Sequence, residues 1–210
     1  MTLARCKTAL LNIINDPENR VIALSGRWGT GKTHLWQQVR QETGDAQAKE
    51  AVSASLFGVS TIMELKLKIA EGLAPKLRQA NFETIKAGVS SIKKVLKGVH
   101  SSFSALDELS LLAMPYMLKG RFIVIDDIER KHSKLSIDEI LGFIDECVQS
   151  HQCRILLVLN SDKLRDHEIW AQIREKVVDQ EIKLETSPAE AFDIAQAITP
   201  CPWPEQFRLA

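Results

Sequence analysis

Residues 26–33 read Gly-Arg-Trp-Gly-Thr-Gly-Lys-Thr, and no other stretch constrains the architecture as strongly. The stretch follows the pattern G-x-x-x-x-G-K-[ST], whose glycines let the backbone wrap so that successive N–H groups point at phosphate oxygens. The apolar run Val21–Leu24, typical of a buried parallel strand, precedes it. A helical pattern follows, runs to about Thr43 and stops at Gly44. Strand, glycine-rich turn and helix in this order predict a phosphate-binding loop.

The residue types in this loop predict how a nucleotide is held. Lys32 offers an ammonium group to the β- and γ-phosphates, the Thr33 hydroxyl is a ligand for Mg²⁺, and the helix N-terminus adds partial positive charge. Trp28 either stacks on a base or packs against the protein. The predicted nucleotide-binding residues are Gly26, Arg27, Trp28, Gly29, Thr30, Gly31, Lys32, Thr33 and His34.

A second motif, residues 122–130, runs Phe-Ile-Val-Ile-Asp-Asp-Ile-Glu-Arg. Its apolar strand ends in carboxylates, at the edge of a parallel sheet where ligands bind. We expect Asp126 to hold Mg²⁺, and Asp127, with Glu129 second, to polarise the attacking water. Strand alternation sends Asp126 and Asp127 to opposite sides if the strand continues that far. The alternative is a solvated strand end with an ion pair to Arg130 or Lys131.

Two further polar residues are candidates for catalysis. Asn160 directly follows the apolar run 155–159, where it either contacts the γ-phosphate or caps the next helix. Arg174 lies near the end of the helix before the last strand, where it could reach a neighbouring molecule's active site as an arginine finger. Arg130 and Arg165 are alternatives, and a surface salt bridge is the simpler explanation for each arginine.

The remaining pattern predicts a mostly parallel α/β sheet covered on both faces. Further strands are expected at 121–126, 154–160 and 181–184, with a weaker one at 51–57, and helices at 136–150 and 166–178. Residues 60–119 carry helical patterns without a convincing strand, which predicts a helical insertion between the two motifs. Its lysines are expected to form either a solvated helix face or a surface for a partner or a phosphate backbone; they are Lys86, Lys93, Lys94 and Lys97.

Composition excludes several classes of protein. Among 210 residues, 27 basic side chains balance 27 acidic ones, which argues against a protein that mainly coats nucleic acid. No apolar stretch is long enough to cross a membrane, and no signal-peptide pattern opens the chain. The four cysteines lack metal-site spacing and are expected as buried thiols in a reducing cytoplasm.

Together these motifs resemble the additional-strand P-loop ATPases, the group that includes the AAA+ and STAND proteins, and within it the KAP family. The likeness covers most of residues 10–190 and rests on GRWGTGKT, the helical insertion, residues 55–60 (Ser-Leu-Phe-Gly-Val-Ser) and above all IVIDDIER. It implies a three-layer core with central strand order 5-1-4-3-2, Asn160 as a sensor and Asp127 in the position of the catalytic glutamate. Glu129 stands where the family pattern has Asp.

The resemblance also sets expectations for the rest of the chain. Many family members have membrane helices in the insertion, whereas this sequence offers none there. Related ATPases continue into a helical lid, so residues 1–210 are expected to form one P-loop NTPase domain whose lid is absent or truncated after about residue 190.

The function expected from these features is a slow, Mg²⁺-dependent ATPase that acts as a molecular switch, in bacterial phage defence or signalling. ATP is favoured over GTP because no Asn-Lys-x-Asp motif occurs. A protein partner or a second copy is expected to bind through the helical insertion. A small-molecule phosphotransferase and a non-catalytic assembly module stabilised by ATP are the alternatives.

Overall fold

In the computed structural model, residues 3–77, 113–160 and 167–185 are described, together with positions 187, 189, 190, 192, 195 and 196. Five parallel strands form one sheet in the order β2-β3-β4-β1-β5. This order confirms the expected 5-1-4-3-2 arrangement. The strands are β1 (Val21–Gly26), β2 (Val52–Ser55), β3 (Phe122–Asp126), β4 (Arg154–Leu159) and β5 (Gln180–Leu184).

Helices connect the strands, as the alternating pattern predicts. They are α1 (Leu3–Asn15), α2 (Lys32–Glu42), the short α3 (Ala46–Lys49), α4 (Ile62–Leu77), α5 (Ile137–Asp145), which continues into a π-helical turn (Glu146–Ser150), and α6 (His167–Val177). Residues 113–118 are also helical, and a 3₁₀ turn (Ile128–Arg130) follows β3. Ser136 and Glu139 form a capping box that starts α5, a pairing that satisfies two backbone donors at once.

Two apolar clusters pack on the two faces of the sheet. On one face, Leu10 of α1 and Leu35 of α2 pack with the strand residues Ile22, Leu156 and Ile182. On the other, α4, α5 and residues 113–118 cover the alternate strand positions, among them Ala23, Ile123 and Leu157. The central strands β1 and β4 are buried along their whole length, which explains their continuous apolar runs. The molecule therefore has the expected three layers.

The predicted insertion at 60–119 begins with α4 and ends with the helical residues 113–118. The four lysines between them, Arg165 and Cys201 lie outside the described residues, as does the end of the chain where a lid was considered. Within the described ranges, no helix has both the length and the apolar character needed to cross a membrane. Cys6, Cys147 and Cys153 are buried free thiols, as predicted.

Candidate functional site

The two sequence motifs meet at the carboxyl edge of the sheet. β4 lies between β1 and β3, so the glycine-rich loop after β1 and the carboxylates after β3 are separated by one strand. Asn160 follows β4 and therefore lies between the two motifs in the strand order. The loop, Asn160 and the carboxylates therefore lie together at the carboxyl edge of the sheet, where parallel sheets bind ligands.

Glycines allow the loop between β1 and α2 to turn. Gly29 and Gly31 adopt positive φ angles of 78° and 87°, which side chains other than glycine rarely tolerate. Gly26 is required for a different reason, because a Cβ atom there would lie 2.5 Å from the carbonyl oxygen of Leu184 on β5. The first glycine thus permits close packing of β1 against β5, and the next two shape the loop.

Lys32, the first residue of α2, folds back over the loop. Its Nζ donates to the carbonyl oxygens of Gly26 at 2.7 Å and Arg27 at 2.9 Å. Burial lowers the pKa of its ammonium, while Glu129, then Asp126 and Asp127, act to raise it. The ammonium is therefore held among three carboxylates and can exchange two carbonyl partners for phosphate oxygens.

Asp126 ends β3 with its carboxylate turned to the loop. Burial raises its pKa, as do the charges of Asp127 and Glu129, whereas the backbone N–H of Asp127, which donates to its Oδ1 at 2.7 Å, opposes the shift. Three carboxylates facing one lysine leave an excess of negative charge that a divalent cation would compensate. Asp126 and the Thr33 hydroxyl line the same cavity and provide the hard oxygen ligands that Mg²⁺ prefers. No three His, Cys, Asp or Glu side chains in the described ranges form a metal site by themselves.

Asp127 is oriented differently from the sequence expectation. Strand β3 ends at Asp126, and Asp127 adopts a left-handed backbone conformation with φ 61°, so strand alternation does not set its direction. Its Oδ2 accepts a hydrogen bond from the Ser55 hydroxyl at 2.8 Å, and its Oδ1 lies 3.5 Å from an Arg130 nitrogen. The ion pair that the sequence offered as an alternative therefore exists, although Asp127 also lines the cavity.

Glu129 and Trp28 join the two motifs directly. The indole Nε1 of Trp28 donates to Oε1 of Glu129 at 3.1 Å. The other oxygen, Oε2, is buried and has no hydrogen-bond partner among the residues that the structure describes. Trp28 is thus placed beside the acidic motif rather than at a packing site in the core.

A cavity of about 380 Å³ connects these features. Most of the predicted binding and catalytic residues line it: Trp28, Gly29, Gly31, Lys32, Thr33, His34, Asp126, Asp127 and Glu129. His34 also contacts Gln38 at 3.0 Å. The carbonyl of Arg27 accepts from Lys32 and, at 2.9 Å, from the Thr30 hydroxyl, so those two residues support the loop.

The remaining predicted residues lie outside this lining. Asn160 is 2% exposed, at the end of β4 between the motifs. Arg174 lies on α6 with a 62% exposed side chain, 3.7 Å from Glu181, whose other oxygen accepts from the Ser25 hydroxyl at 2.7 Å. Arg174 is thus linked to Ser25, near the end of β1, by way of Glu181. Its role as an arginine finger remains a prediction.

Comparison with known proteins identifies the family. A model of the KAP family P-loop domain matches residues 5–185, which include both motifs and all five strands. The chain belongs to the KAP family. The KAP domain of this chain therefore includes the P-loop at 26–33 and the acidic motif at 122–130, on which the resemblance rested. No curated protein matches the sequence at a significant level.

Solved structures place the KAP domain among P-loop ATPase folds. A Walker-type ATPase of Pyrococcus abyssi has a TM-score of 0.55 and 13% identity, covering 97% of this chain and 60% of that protein. The ORC2 protein of Aeropyrum pernix, solved as ADPNP and ADP complexes, has a TM-score of 0.52 and 13% identity, covering 92% and 50%. At this identity the likeness shows the shared fold, and this chain spans 50–60% of the length of those two proteins.

Sequence reasoning missed the role of Ser55 and left the role of Trp28 open. Ser55 was noted only as part of a family segment, although its hydroxyl holds Asp127. The role of Trp28 was left open because its partner lies 101 residues away. For Ser55 the only sequence signal is its position at the end of the edge strand, beside the end of β3.

Proposed function

We propose that this KAP domain binds ATP together with Mg²⁺ and hydrolyses the bond between the β- and γ-phosphates. The observation that carries the proposal is the single cavity lined both by Lys32 and Thr33 and by Asp126 and Glu129. A phosphate loop alone supports binding, whereas carboxylates across from it supply groups for a metal ion and for water. The ADPNP and ADP complexes of the ORC2 protein are consistent with adenine nucleotide in this fold.

Each residue of the site has a distinct task in this proposal. The backbone N–H groups of the loop and the Lys32 ammonium bind the β- and γ-phosphates, and Lys32 leaves its contacts with Gly26 and Arg27 to do so. The Thr33 hydroxyl and the Asp126 carboxylate hold Mg²⁺. When bound there, Mg²⁺ would supply positive charge against the phosphate oxygens. A carboxylate of the acidic motif, Asp127 or Glu129, orients the attacking water, and Asn160 lies between the motifs as a sensor.

Binding and release of phosphate from the intact chain and from Lys32→Ala test this function. Loss of a charge-assisted contact is expected to weaken ATP binding by about 10- to 100-fold. Phosphate release should fall to background. A phosphotransferase would show turnover that depends on an added small acceptor, and an ATP-stabilised module would bind ATP without releasing phosphate.

Lys176→Ala is the matched control for Lys32→Ala. Lys176 is an exposed lysine in the last turn of α6 and lies near the opposite edge of the sheet. This variant should bind and hydrolyse ATP like the wild type. Equal loss in both variants, or unaltered phosphate release from Lys32→Ala, would contradict the ATPase proposal.

The proposal extends to a cytoplasmic switch role in which the site signals to a protein partner or a second copy through the helical region between the motifs. The sheet provides a route, since Ser55 contacts Asp127 and the Lys68 ammonium of α4 donates to the Ser55 carbonyl at 3.0 Å. A setting in phage defence or signalling is tested by plating phage on bacteria that express the wild type or Lys32→Ala. Equal plating on both would contradict a defence role that depends on nucleotide.

A further inference from the structure

The hydrogen bond between Trp28 and Glu129 fixes one carboxylate at the site. The indole has a single N–H donor, and that donor is directed at Oε1 of Glu129 at 3.1 Å. The Trp28 side chain is nevertheless 60% exposed, which is unusual for such a large apolar group. Its position is therefore better explained by the contact with Glu129 than by burial in the core.

The other oxygen of Glu129 has no hydrogen-bond donor among the described residues. Oε2 is buried and lacks a hydrogen-bond partner in the described protein, an arrangement that costs free energy unless another group supplies a donor. Glu129 lines the same cavity as Lys32, and its charge is the strongest of the three carboxylates in its effect on the pKa of Lys32. Oε2 has no contact with solvent in this conformation, so a water molecule in the cavity can donate to it only after the Glu129 carboxylate or its neighbours shift.

Asp127, the other carboxylate that could polarise the attacking water, already has partners for both of its oxygens. Ser55 donates to one of its oxygens at 2.8 Å, and Arg130 lies 3.5 Å from the other. If Asp127 accepted a proton from water, its carboxylate would lose the charge that attracts Arg130. The geometry therefore distinguishes two adjacent carboxylates that the sequence could not separate.

We propose that Glu129 is the group that accepts the proton of the attacking water, and that Trp28 is the positioning residue that holds Glu129 for this step. The proposal rests on the proposed ATPase function and specifies its site. The water oxygen forms a bond to the γ-phosphorus while its proton passes to Oε2 of Glu129. The bond from the γ-phosphorus to the bridging oxygen breaks, and its electron pair stays on ADP. Glu129 then releases the proton to solvent.

The experiment compares four single variants and one double variant of the full chain. Glu129→Gln removes the basic carboxylate and keeps its shape, Asp127→Asn does the same at the neighbouring position, and Trp28→Phe removes the N–H donor and keeps an aromatic ring. Tyr116→Phe is the matched control, since it removes one polar atom from a residue that is 75% exposed on helical residues 113–118. The double variant combines Trp28→Phe with Glu129→Gln. ATP binding and kcat are measured for each.

We expect Glu129→Gln to lower kcat by about 100-fold or more, the size of a general-base contribution, with ATP binding changed less than about twofold. Asp127→Asn should lower kcat less than Glu129→Gln. Trp28→Phe should lower kcat by about 10-fold without a change in KM, because it misplaces the base but leaves the phosphate contacts. The double variant should be no slower than Glu129→Gln, since Trp28 acts only through Glu129.

An NMR measurement tests the positioning role without relying on turnover. The chain has four tryptophans, and the indole signal that disappears in Trp28→Phe is that of Trp28. In Glu129→Ala this signal should move to the position of a water-exposed indole, while the other three indole signals stay in place. Tyr116→Phe should move none of them.

The results separate failure of this assignment from failure of the ATPase proposal. If the wild type hydrolyses ATP and Asp127→Asn is the slower of the two carboxylate variants, Glu129 is not the proton acceptor although the ATPase proposal stands. If the losses of kcat from Trp28→Phe and Glu129→Gln multiply in the double variant, Trp28 does not position Glu129. The same conclusion follows if the Trp28 indole signal stays in place in Glu129→Ala. A wild type without turnover overturns both proposals.

Discussion

Arg154 at the start of β4 is bound to Asp45, 109 positions earlier in the chain, by a buried ion pair. The same guanidinium donates to the carbonyl oxygens of Ile14 at 2.8 Å and Asp16 at 2.9 Å, and its Nε donates to that of Asn19 at 3.0 Å. One side chain thus satisfies the carbonyls at the end of α1 and ties them to β4 and to Asp45. These contacts lie at the amino-terminal end of β4, the opposite end of the strand from the cavity.

Arg154→Met is therefore expected to destabilise the fold. The change leaves the Asp45 carboxylate buried without its cation, which costs about 3–5 kcal/mol of the free energy of unfolding. Urea unfolding measures the loss. Arg5→Met, on an exposed position of α1, is the control and should cost less than about 0.5 kcal/mol. A loss below about 1 kcal/mol for Arg154→Met would show that water replaces the guanidinium.

Gly26→Ala should weaken the packing of β1 against β5. The added Cβ atom would lie 2.5 Å from the Leu184 carbonyl oxygen, so the strands must separate, at a cost of about 1–3 kcal/mol. Thermal unfolding measures this change. Gly142→Ala in α5, where the added Cβ would meet no described atom within 4 Å outside its chain neighbours and the helix's own backbone, should instead gain up to about 1 kcal/mol from helix propensity. An equally stable Gly26→Ala variant would contradict the close approach.

Asp126→Asn should stabilise the nucleotide-free chain at pH 7 and remove Mg²⁺-dependent turnover. Burial and neighbouring charge raise the pKa of Asp126, so the folded state takes up a proton more readily than the unfolded state and loses stability as the pH rises. The advantage of Asn should shrink as the pH falls through the raised pKa and vanish below the ordinary value near 3.8.

The two halves of this prediction are measured separately. Unfolding at several pH values reports the stability difference, and phosphate release should fall by about 100-fold or more because the metal ligand is lost. A variant that is less stable than the wild type at pH 7 would contradict the strain inferred at Asp126.

Arg174→Ala should lower ATP turnover without destabilising the fold, if Arg174 acts on a neighbouring molecule's site as proposed. Within the described part of the chain, its exposed side chain forms a 3.7 Å ion pair with Glu181, a contact worth about 1 kcal/mol or less. Removing an arginine finger lowers kcat by about 1,000-fold or more. Mixing Arg174→Ala with Lys32→Ala should restore part of the turnover, because one variant supplies the arginine and the other the lysine. No recovery in the mixture would argue against action between molecules.

Much of the fold could be predicted because buried parallel strands leave a simple pattern. The apolar runs at 21–24 and 155–159 lie within β1 and β4. Because these strands are covered on both faces, their apolar residues do not alternate with polar ones. The edge strand β2 was the weakest prediction, since one of its four residues, Ser53, is exposed and interrupts the apolar pattern.

The site was only partly predictable. The loop glycines, Lys32 and Asp126 follow from local spacing, because a phosphate imposes its geometry on consecutive residues. The contacts of Asp127 and Glu129 depend on the left-handed turn after β3, which places the two carboxylates against Ser55 and Trp28. Nothing in a linear sequence reports a hydrogen bond across 72 or 101 positions.

The strand order has a consequence for how this protein is made. In the described sheet β1 pairs with β4 and β5, which come after β2 and β3 along the chain, so the phosphate-binding loop has no neighbouring strand to support it until residue 154 or later has been synthesised. Strand β1 therefore remains without a partner strand while residues 27–153 are synthesised. Completion of the nucleotide pocket is in this sense a late event, and a nascent chain stopped before β4 should be recognised by proteases and chaperones as unfinished.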